Sequence, residues 1–584
     1  SLDDDIRITK KVSSDSLDDD IRITKKVSSD SLDDDIRITK KVSSDSLDDD
    51  IRITKKVSSD DDIRITKKEY SDDIRVVVAI DFGTTYSGFA YAHKDSPNII
   101  IANDTSNASL GIFKTPTVIK YDDSYDKVES WGFPALAKKP KKPYTTSTPS
   151  LKWFKLHLLG KSLLPVGLDF KKVISDYLEK LGEDIKSSLK THWDFLDFDK
   201  QVVVVLTVPA EFDDNAIDIM PEAAAIHSMD NLIKEHNFGP GDLLMMVDCG
   251  GGTVDLTTRD DELNEITVRT GDDCGSYKID QAFIELLGHK VGKTAMDLFE
   301  KNYNSYLQYM VQEFCRKAKL RFTENPEDFP TFELDLEEYE PLIKYIKGEE
   351  EEKLKKDDWL IEIEYDDVKK MVDPVVNEIF KLIRGQLEQL KRLEKKISIL
   401  LLVGGFGESK YLQNRIKQEF SKEEVPKFFV DKQPIVSIMK GAVKYGLTRI
   451  IKKRVLKWDY GTIAVRKWKP TDPLELKLPN GYIKVFEKLA ESGKQVLMGE
   501  EVTRCLKPYS LSQQKMNIDM YTPVSDDAKY LRDVKLLRKW EVNLTELDNY
   551  EDDNTIKFTL KFDVEMSATA KNKEGIEQHV TFKY

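Results

Sequence analysis

Two segments of the chain share one pattern, in which a short run of apolar residues ends in an aspartate that is followed by glycines and threonines. They are residues 81–88, Asp-Phe-Gly-Thr-Thr-Tyr-Ser-Gly, and residues 248–255, Asp-Cys-Gly-Gly-Gly-Thr-Val-Asp. Glycines let backbone N–H groups approach the oxygens of an anion, and threonine hydroxyls add further donors. One such segment is often only a hairpin, but two of them favour a pair of loops that hold a single polyphosphate.

The aspartates of these segments are the candidate metal-binding and catalytic residues. Asp81 and Asp248 each end a predicted strand, where a carboxylate is able to hold Mg²⁺, directly or through water, or to orient an attacking water molecule. The glycines and hydroxyls beside them are the candidate phosphate ligands: Gly83, Thr84, Thr85, Gly250, Gly251, Gly252 and Thr253.

A third glycine-rich segment, residues 401–409, follows another predicted strand and leads into a helix. Gly404 and Gly405 precede Phe406 there, and paired glycines let a flat ring lie against the backbone. This segment alone fits a plain strand-to-helix turn equally well. The chain contains neither a P-loop nor a complete G-x-G-x-x-G, which argues against the commoner nucleotide-binding folds.

The apolar runs indicate an α/β region. Residues 76–80, 202–208, 243–247 and 397–403 are candidate buried strands, and helical stretches separate most of them, which predicts largely parallel sheets. The clearest helix covers residues 368–390, where Pro374 marks either a kink or a new first turn.

A different pattern follows residue 455. Apolar and polar residues alternate strictly from Ile556 to Met566, which predicts one half-buried strand or two in series. Asn480-Gly481 is a turn signal between shorter strand-like segments. We therefore expect a β-rich domain over residues 456–584, after an α/β domain over residues 74–455.

The first sixty residues are four perfect copies of a fifteen-residue unit, SLDDDIRITKKVSSD, and a broken fifth copy follows. A unit with four apolar residues is too small to bury a face as solenoid repeats do. We predict that residues 1–73 are disordered, with weak strand character at each Ile-Arg-Ile. The alternative is a functional tail for display or aggregation.

Composition narrows the choice of partners. The net charge of -15 argues against a general nucleic-acid binder. The four cysteines show neither metal-ligand spacing nor a disulfide framework. No apolar run approaches the ~20 residues that span a bilayer, and no secretory h-region begins the chain. The expectation is a cytoplasmic protein without a membrane or nucleic-acid partner.

The three glycine-rich segments, in this order, resemble the phosphate-1, phosphate-2 and adenosine motifs of the actin-like ATPase superfamily. Residues 207–210, Thr-Val-Pro-Ala, and residues 221–225, Pro-Glu-Ala-Ala-Ala, are similar to segments of the heat-shock-seventy family within it. The resemblance covers about residues 74–584 and is nearest to the divergent, lidless fungal and animal branch. It implies a two-lobed actin-like (ribonuclease H-like) ATPase fold, followed by a β-sandwich-like domain for client polypeptides.

The resemblance also assigns roles within an ATP/ADP and Mg²⁺ site. Asp81, Asp248 and the loop residues would face the phosphates and metal, together with Tyr86. Gly404, Gly405 and Phe406 would flank the adenine and ribose. Lys319 and Thr323 match nucleoside-contacting positions. Lys155 is the nearest candidate for the catalytic lysine, one residue from the usual spacing, and a surface lysine is the alternative.

The chain departs from the family between residues 212 and 221. Only residues 213–220 separate the two family-like segments, whereas a parallel crossover needs about a dozen residues or more. Met220 stands where family members have a glutamate that helps to hold the hydrated metal. The shortening predicts an unpaired sheet edge, and the loss of the glutamate weakens the case for hydrolysis more than that for binding. Either the fold adapts to the shortening, or the sequence is a defective gene model or a decayed copy. The chain also ends straight after the last predicted strand, so no helical lid is expected.

Three functions remain open from the sequence. The first is an ATP-hydrolysing, chaperone-like protein whose closure on Mg-ATP is coupled to the β domain. The second is a non-hydrolysing, nucleotide-dependent scaffold, which Met220 favours. The third is a small-molecule kinase, against which the C-terminal β pattern argues.

Overall fold

The structure is a computed structural model that describes part of the chain. The chain divides into two compact units, Ser1–Ser71 and Asp72–Tyr584. The described residues are 6–10, 20–25, 37–39, 73–103, 112–142, 148–160, 164–165, 168–207, 228, 232–233, 237–431, 433–448, 453–497, 499–506, 515–525, 528–543, 556–562, 566–571 and 577–582.

The first unit contains three short strands that come from the first three repeat copies. They are β1 (Ile6–Lys10), β2 (Asp20–Lys25) and β3 (Arg37–Thr39), and they form an antiparallel sheet in the order β1-β2-β3. The strands lie at the Ile-Arg-Ile segments for which the sequence predicted weak strand character. The predicted disorder of the rest of residues 1–72 concerns positions outside the described residues.

The second unit begins with a five-stranded sheet, which we call the first sheet. Its central strand β4 (Val76–Asp81) pairs antiparallel with β5 (Tyr86–His93) and parallel with an edge strand from residues 202–207. The remaining elements of this region, in chain order, are β6 (Ile101–Ala102), β7 (Thr115–Pro116), β8 (Val118–Tyr121), β9 (Val128–Trp131), β10 (Leu151–Lys152), α1 (Phe170–His192), α2 (Phe198–Gln201) and β11 (Val202–Thr207).

Strand β11 lies at the edge of the first sheet within the described part of the chain, in the order β11-β4-β5-β6. This agrees with the edge that the shortened segment predicts, although residues 213–220 themselves, with Met220, lie outside the described residues. Helix α1 covers one face of the sheet, where Leu181 and Ile185 pack with Val76 and Val78.

The second sheet has the order β14-β13-β12-β17-β18. The strands and helices of this region are β12 (Leu243–Cys249), β13 (Val254–Asp260), β14 (Thr270–Asp272), α3 (Tyr277–Val291), α4 (Lys293–Lys317), β15 (Phe332–Asp335), α5 (Glu340–Ile343), α6 (Glu349–Lys356), β16 (Leu360–Ile363), α7 (Tyr365–Arg392), β17 (Ile399–Val403), α8 (Lys410–Glu419), β18 (Lys427–Val430) and α9 (Pro434–Thr448).

The long helix α7 contains the predicted residues 368–390 and runs through Pro374 as one helix. A capping box between Glu364 and Asp367 satisfies N–H groups of its first turn. Its apolar stripe, which includes Val372 and Ile379, packs in the large core beneath the second sheet. The helix that the periodicity predicted is therefore confirmed.

The prediction of largely parallel sheets is wrong in part. Strands β12, β17 and β18 are parallel, but β4 with β5, β12 with β13 and β13 with β14 are antiparallel. The physical reason is the length of the glycine-threonine connections. Four residues join β4 to β5 and β12 to β13, and so short a link joins only antiparallel neighbours.

Helix α9 connects the first and second sheets through one hydrophobic cluster. Val436 and Met439 of this helix share the cluster with Val77 of β4 and Met246 of β12, and all four side chains are buried. Strands β4 and β12 therefore pack against the same helix.

The C-terminal region contains only strands and short 3₁₀ turns among its described residues. The strands are β19 (Lys453–Val455), β20 (Tyr460–Lys467), β21 (Tyr482–Ala490), β22 (Gln495–Leu497), β23 (Glu500–Leu506), β24 (Lys515–Pro523), β25 (Val534–Asn543), β26 (Ile556–Phe562), β27 (Met566–Lys571) and β28 (Glu577–Phe582). They form two four-stranded sheets, β21-β20-β24-β25 and β23-β26-β27-β28, and the pair β19-β22.

The alternation that the sequence shows from Ile556 onwards corresponds to two strands in series, β26 and β27. Ile556, Phe558, Leu560 and Phe562 are buried, and the residues between them are partly or fully exposed. Val564 lies outside the described residues. Among the residues that the structure describes, no helix has the length and apolar content to cross a membrane.

Candidate functional site

The two glycine-threonine hairpins meet. The turn between β4 and β5 places Thr84 and Thr85 against the turn between β12 and β13. A Cβ atom added at Gly251 would collide with Thr85 Oγ1, and one added at Gly252 would collide with Thr84 Oγ1. The absence of side chains at these two glycines is therefore what lets the loops approach so closely.

Side-chain hydrogen bonds hold the first loop in place. Thr117 Oγ1 donates to the carbonyl of Gly83 at 2.8 Å, and the Thr117 N–H donates to the carbonyl of Thr85 at 2.8 Å. The hydroxyls of Ser87 and Thr117 also lie 2.8 Å apart. A loop whose carbonyls are fixed in this way is pre-organised before any ligand binds.

The second loop is held by the turn that begins α3. The N–H groups of Gly275, Ser276 and Tyr277 donate to the carbonyls of Gly252, Gly250 and Gly251, at 2.9, 3.2 and 2.8 Å respectively. A Cβ atom at Gly275 would strike the backbone of Gly251 and Gly252. This supporting turn was not predicted from the sequence, because it begins twenty residues beyond the motif.

The carboxylates beside the loops have different surroundings. Asp81 forms a buried ion pair with Lys114, whose Nζ lies 2.5 Å from Asp81 Oδ2. Neither carboxylate oxygen of Asp248 has a hydrogen-bond partner within the described part of the chain. Burial raises the pKa of Asp248 well above its usual value, and the negative charges of Asp255 and Asp81 raise it further.

Two of these charged residues were not predicted from the sequence. Asp255 accepts a hydrogen bond from Thr253 Oγ1 at 2.9 Å and is buried. Asp255 is the last residue of the second segment, so its position in that segment could have identified it as a site residue. Lys114 lies 33 residues beyond Asp81 in a connection with no glycine-threonine pattern, and nothing in the sequence alone points to it.

Lys155 belongs to the same charged centre. Its side chain is only 1% exposed, its Nζ donates to the carbonyl of Phe82, and it lies 5.1 Å from the centre of the Phe82 ring. Burial lowers the pKa of Lys155 to about 8, against the opposing effect of Asp81 and Asp255. The alternative of a surface lysine is therefore wrong, and a catalytic role remains a prediction.

The third glycine-rich segment lies beside Asp248. Gly404 has a φ of +83°, and a Cβ atom there would collide with Asp248 Oδ1 and with the carbonyl of Cys249. A Cβ atom at Gly405 would meet no atom within 4 Å. The side chain of Phe406 packs in the core beneath the second sheet, so only its backbone is placed to contact a ring in the site.

The predicted nucleoside-contacting residues lie around α3 and the end of α4. Lys319 Nζ donates to the carbonyl of Ser276 and to Asp280 Oδ1, both at 2.7 Å. Burial opposes the charged form of Lys319, but Asp280 outweighs it and raises the pKa of the lysine. The side chain of Tyr86 is 47% exposed, and its charge interaction with Lys319 also raises the pKa of that lysine. The buried Thr323 Oγ1 has no hydrogen-bond partner among the described residues.

No protein-family model matches the chain. Three curated proteins are similar to it over long stretches. Heat shock 70 kDa protein 12A of Homo sapiens is 24% identical over 571 residues, which cover 78% of this chain and 83% of that protein. Heat shock 70 kDa protein 12B of Homo sapiens is 25% identical over 313 residues, 50% of this chain and 45% of that protein. Chaperone protein DnaK of Thermosipho melanesiensis is 26% identical over 370 residues, 59% of this chain and 55% of that protein. The chain is therefore similar to heat-shock-seventy proteins over most of its length, which supports a divergent member of that family.

The structure brings most of the predicted site residues of this chain to one region. The loops of residues 82–85 and 250–253 are in contact, Gly404 adjoins Asp248, and Lys155 adjoins Phe82. Their roles toward a nucleotide, and the domain boundaries at residues 73 and 455, remain predictions.

Proposed function

We propose that this chain binds ATP with Mg²⁺ between two lobes built on the first and second sheets, and that it hydrolyses the nucleotide. We further propose that closure of the lobes is transmitted to the C-terminal strands, which bind client polypeptides. Relationship to heat-shock-seventy proteins supports a nucleotide-binding, chaperone-like protein. The proposed binding of the nucleotide between two lobes and the closure of those lobes are argued from the geometry of the two hairpins.

The observation that carries the proposal is the contact between Thr84 and Gly252 and between Thr85 and Gly251. Two turns that present backbone N–H groups and hydroxyls at one place form an anion-binding concavity with donors from both sides. Each turn belongs to a different sheet, so a polyphosphate bound there would tie the two sheets together. Closure on the ligand follows from that arrangement.

The residues around Asp248 fit a divalent cation. Its two carboxylate oxygens are buried and lack hydrogen-bond partners in the described part of the chain, and oxygen ligands are those that Mg²⁺ prefers. No cluster of three or more candidate metal ligands occurs among the described residues. The ion would thus be held jointly by Asp248 and the nucleotide phosphates, where it neutralises phosphate charge.

The chain's own residues would supply positioning and positive charge. The hydroxyls of Thr84 and Thr85 would offer donors to phosphate oxygens, whereas the Thr253 hydroxyl donates to Asp255, and both loops are held by backbone hydrogen bonds. Lys155 fixes the first loop through the Phe82 carbonyl and adds a buried positive charge. Electrostatic stabilisation of this kind is the main catalytic resource in phosphoryl transfer.

The route to the C-terminal strands begins at the second sheet. The connection between β13 and β14 contacts β19, the strand that leads into the C-terminal region, and also contacts Gln495 of β22. A movement of the second sheet therefore acts directly on the start of the C-terminal strands. A buried polar junction of this kind would couple two arrangements of the second sheet to two arrangements of the C-terminal strands.

Binding and turnover test the proposal separately. Titration calorimetry with ATP and Mg²⁺ is expected to give saturable binding to the unsubstituted chain, and a phosphate-release assay is expected to give turnover. Asp248→Asn should abolish turnover while the chain stays folded. Asp194→Asn, at an exposed position, is the matched control and should behave as the unsubstituted chain.

The outcomes also separate the functions that the sequence left open. ATP binding without phosphate release would favour the nucleotide-dependent scaffold. Absence of ATP binding by a folded protein would contradict both. Transfer of phosphate to a sugar or polyol would revive the kinase.

A further inference from the structure

The charged centre between the hairpins contains one lysine that belongs to none of the motifs. Lys114 precedes β7, its side chain is 8% exposed, and its Nζ lies 2.5 Å from Asp81 Oδ2. The other oxygen of Asp81 accepts a longer hydrogen bond, of 3.4 Å, from Thr207 Oγ1. Both oxygens of Asp81 are thus engaged by the chain itself, whereas those of Asp248 are not.

The position of Lys114 is fixed by its neighbours. Strand β7 pairs with the start of β5, with Pro116 opposite Tyr86 and Thr115 opposite Ser87. A Cβ atom at Gly88 would lie 2.9 Å from Lys114 Cγ, so the lysine stem packs closely over that glycine. The ammonium group is therefore held at the end of β4 beside Asp81, and its charge acts on Asp248 near the end of β12.

The charged centre holds three carboxylates and two ammonium groups, so an anion bound there would depend on those two cations. The carboxylates of Asp81, Asp248 and Asp255 and the ammonium groups of Lys114 and Lys155 all act on one another across it. A lysine ammonium is a compact point charge that binds phosphate well, and its effect is larger away from water. A polyphosphate in the site would compete with Asp81 for the Lys114 ammonium.

We propose that Lys114 is a phosphate ligand of the site as well as the ion-pair partner of Asp81. It is a resident cation that contacts the terminal phosphates of a bound nucleoside triphosphate, so that binding persists when Mg²⁺ is removed. The proposal rests on the proposed function, since it needs a polyphosphate between the loops.

The test is calorimetric titration of ATP into the full chain, in buffer with Mg²⁺ and in buffer with EDTA. The unsubstituted chain is expected to lose less than about tenfold in affinity in EDTA. Lys114→Met is expected to bind ATP about tenfold to a hundredfold more weakly than the unsubstituted chain in EDTA, the range for a hydrogen bond between charged groups. The deficit should be smaller with Mg²⁺, because Asp81 then becomes available to the metal.

Two further variants sharpen the test. Lys120→Met removes a partly exposed lysine that pairs with Glu129 on the adjoining strands β8 and β9, and it should match the unsubstituted chain in both buffers. The double variant Asp81→Asn with Lys114→Met removes both charges and avoids an unpaired buried carboxylate, so that it stays folded if the single variant does not. It should bind ATP in EDTA as weakly as Lys114→Met.

The results separate the two proposals. If the double variant bound ATP in EDTA as tightly as the unsubstituted chain, Lys114 would merely neutralise Asp81 and its role as a phosphate ligand would be excluded. An equal loss of affinity by Lys114→Met in both buffers, or loss of all binding by the unsubstituted chain in EDTA, would exclude it too. Failure of the unsubstituted chain to bind ATP in either buffer would instead overturn the proposed function.

Discussion

Glu265 accepts a hydrogen bond from the backbone N–H of Val455, with 2.6 Å between its Oε2 and the Val455 nitrogen. Its other oxygen, Oε1, lies 2.9 Å from Arg259 NH2 and 3.6 Å from Arg269 Nε. Glu265 is fully buried, and its backbone carbonyl accepts from Gln495 Nε2 at 2.6 Å. One glutamate thus joins the second sheet to β19 and β22, where the C-terminal strands begin.

Glu265→Ala should destabilise the chain strongly. The substitution removes the carboxylate that two buried guanidinium groups face, and breaking a buried ion pair costs about 3–5 kcal/mol. Equilibrium denaturation with urea measures the loss. Glu262→Ala, at an exposed position of the same connection, is the control and should change the free energy of unfolding by about 0.5 kcal/mol or less.

Coupling through the same junction is tested with ATP. If the junction transmits closure, ATP should alter protease cleavage near Val455 in the unsubstituted chain and in Glu262→Ala. A milder variant, Glu265→Gln, keeps a hydrogen-bond acceptor and should reduce that response while it retains ATP binding. An unchanged ATP response in Glu265→Gln would contradict a role for this junction.

Gly252→Ala should disrupt the contact between the hairpins. The added methyl group meets Thr84 Oγ1, so one loop has to move, and the variant should lose both stability and the ATP-induced rise in melting temperature. Gly385→Ala is the matched control. Its Cβ meets no atom within 4 Å in helix α7, and alanine should stabilise that helix by about 1 kcal/mol. A Gly252→Ala variant with an unchanged ATP response would rule out the polyphosphate site between the loops.

Local sequence patterns were sufficient for much of the fold. The apolar runs gave the positions of β4, β12 and β17, the helical period gave α7, and strict alternation gave β26 and β27. Each of these patterns reflects burial of one face or of a whole strand, which neighbouring residues alone determine.

The strand directions and the charged centre depend on contacts between distant residues. The prediction of largely parallel sheets is wrong in part because the two glycine-threonine segments are also hairpins, which reverse the chain. Lys114 pairs with Asp81 across 33 residues, and the turn at Gly275 supports a loop that ends at Thr253. No periodicity within a short window carries such information. The composition of the two loops was enough to predict that they meet, and their binding of an anion remains a prediction.

Lys155 predicts how stability responds to alkaline pH. Its pKa is lowered from 10.5 to about 8 by burial, so between these values the unfolded chain binds more protons than the folded chain. The free energy of unfolding therefore rises with pH across this interval, by up to about 3 kcal/mol from this group. Below pH 8 both states carry the proton, and the contribution does not change with pH.

Lys155→Met removes that dependence. The difference in unfolding free energy between the unsubstituted chain and Lys155→Met should grow in favour of the unsubstituted chain as pH rises above 8. Urea denaturation at a series of pH values provides the measurement. Lys120→Met, which removes a partly exposed lysine, is the control variant. A constant difference for Lys155→Met would mean that the lysine titrates normally.

Substitution of Gly446 in helix α9 by alanine should have two opposing effects on the free energy of unfolding. Alanine there improves helix propensity by about 1 kcal/mol, but its Cβ would lie 2.6 Å from Val77 Cγ1 and 2.9 Å from Val205 Cγ2. Overpacking of a tight core costs about 1–3 kcal/mol, so Gly446→Ala should be neutral to destabilising, by up to about 2 kcal/mol. Val205→Ala removes one of the two obstructing side chains, and in a double-mutant cycle the pair should show a favourable coupling of about 0.5 kcal/mol or more. Strictly additive effects would mean that the helix shifts away from β11 and that its approach to the first sheet is not limited by this glycine.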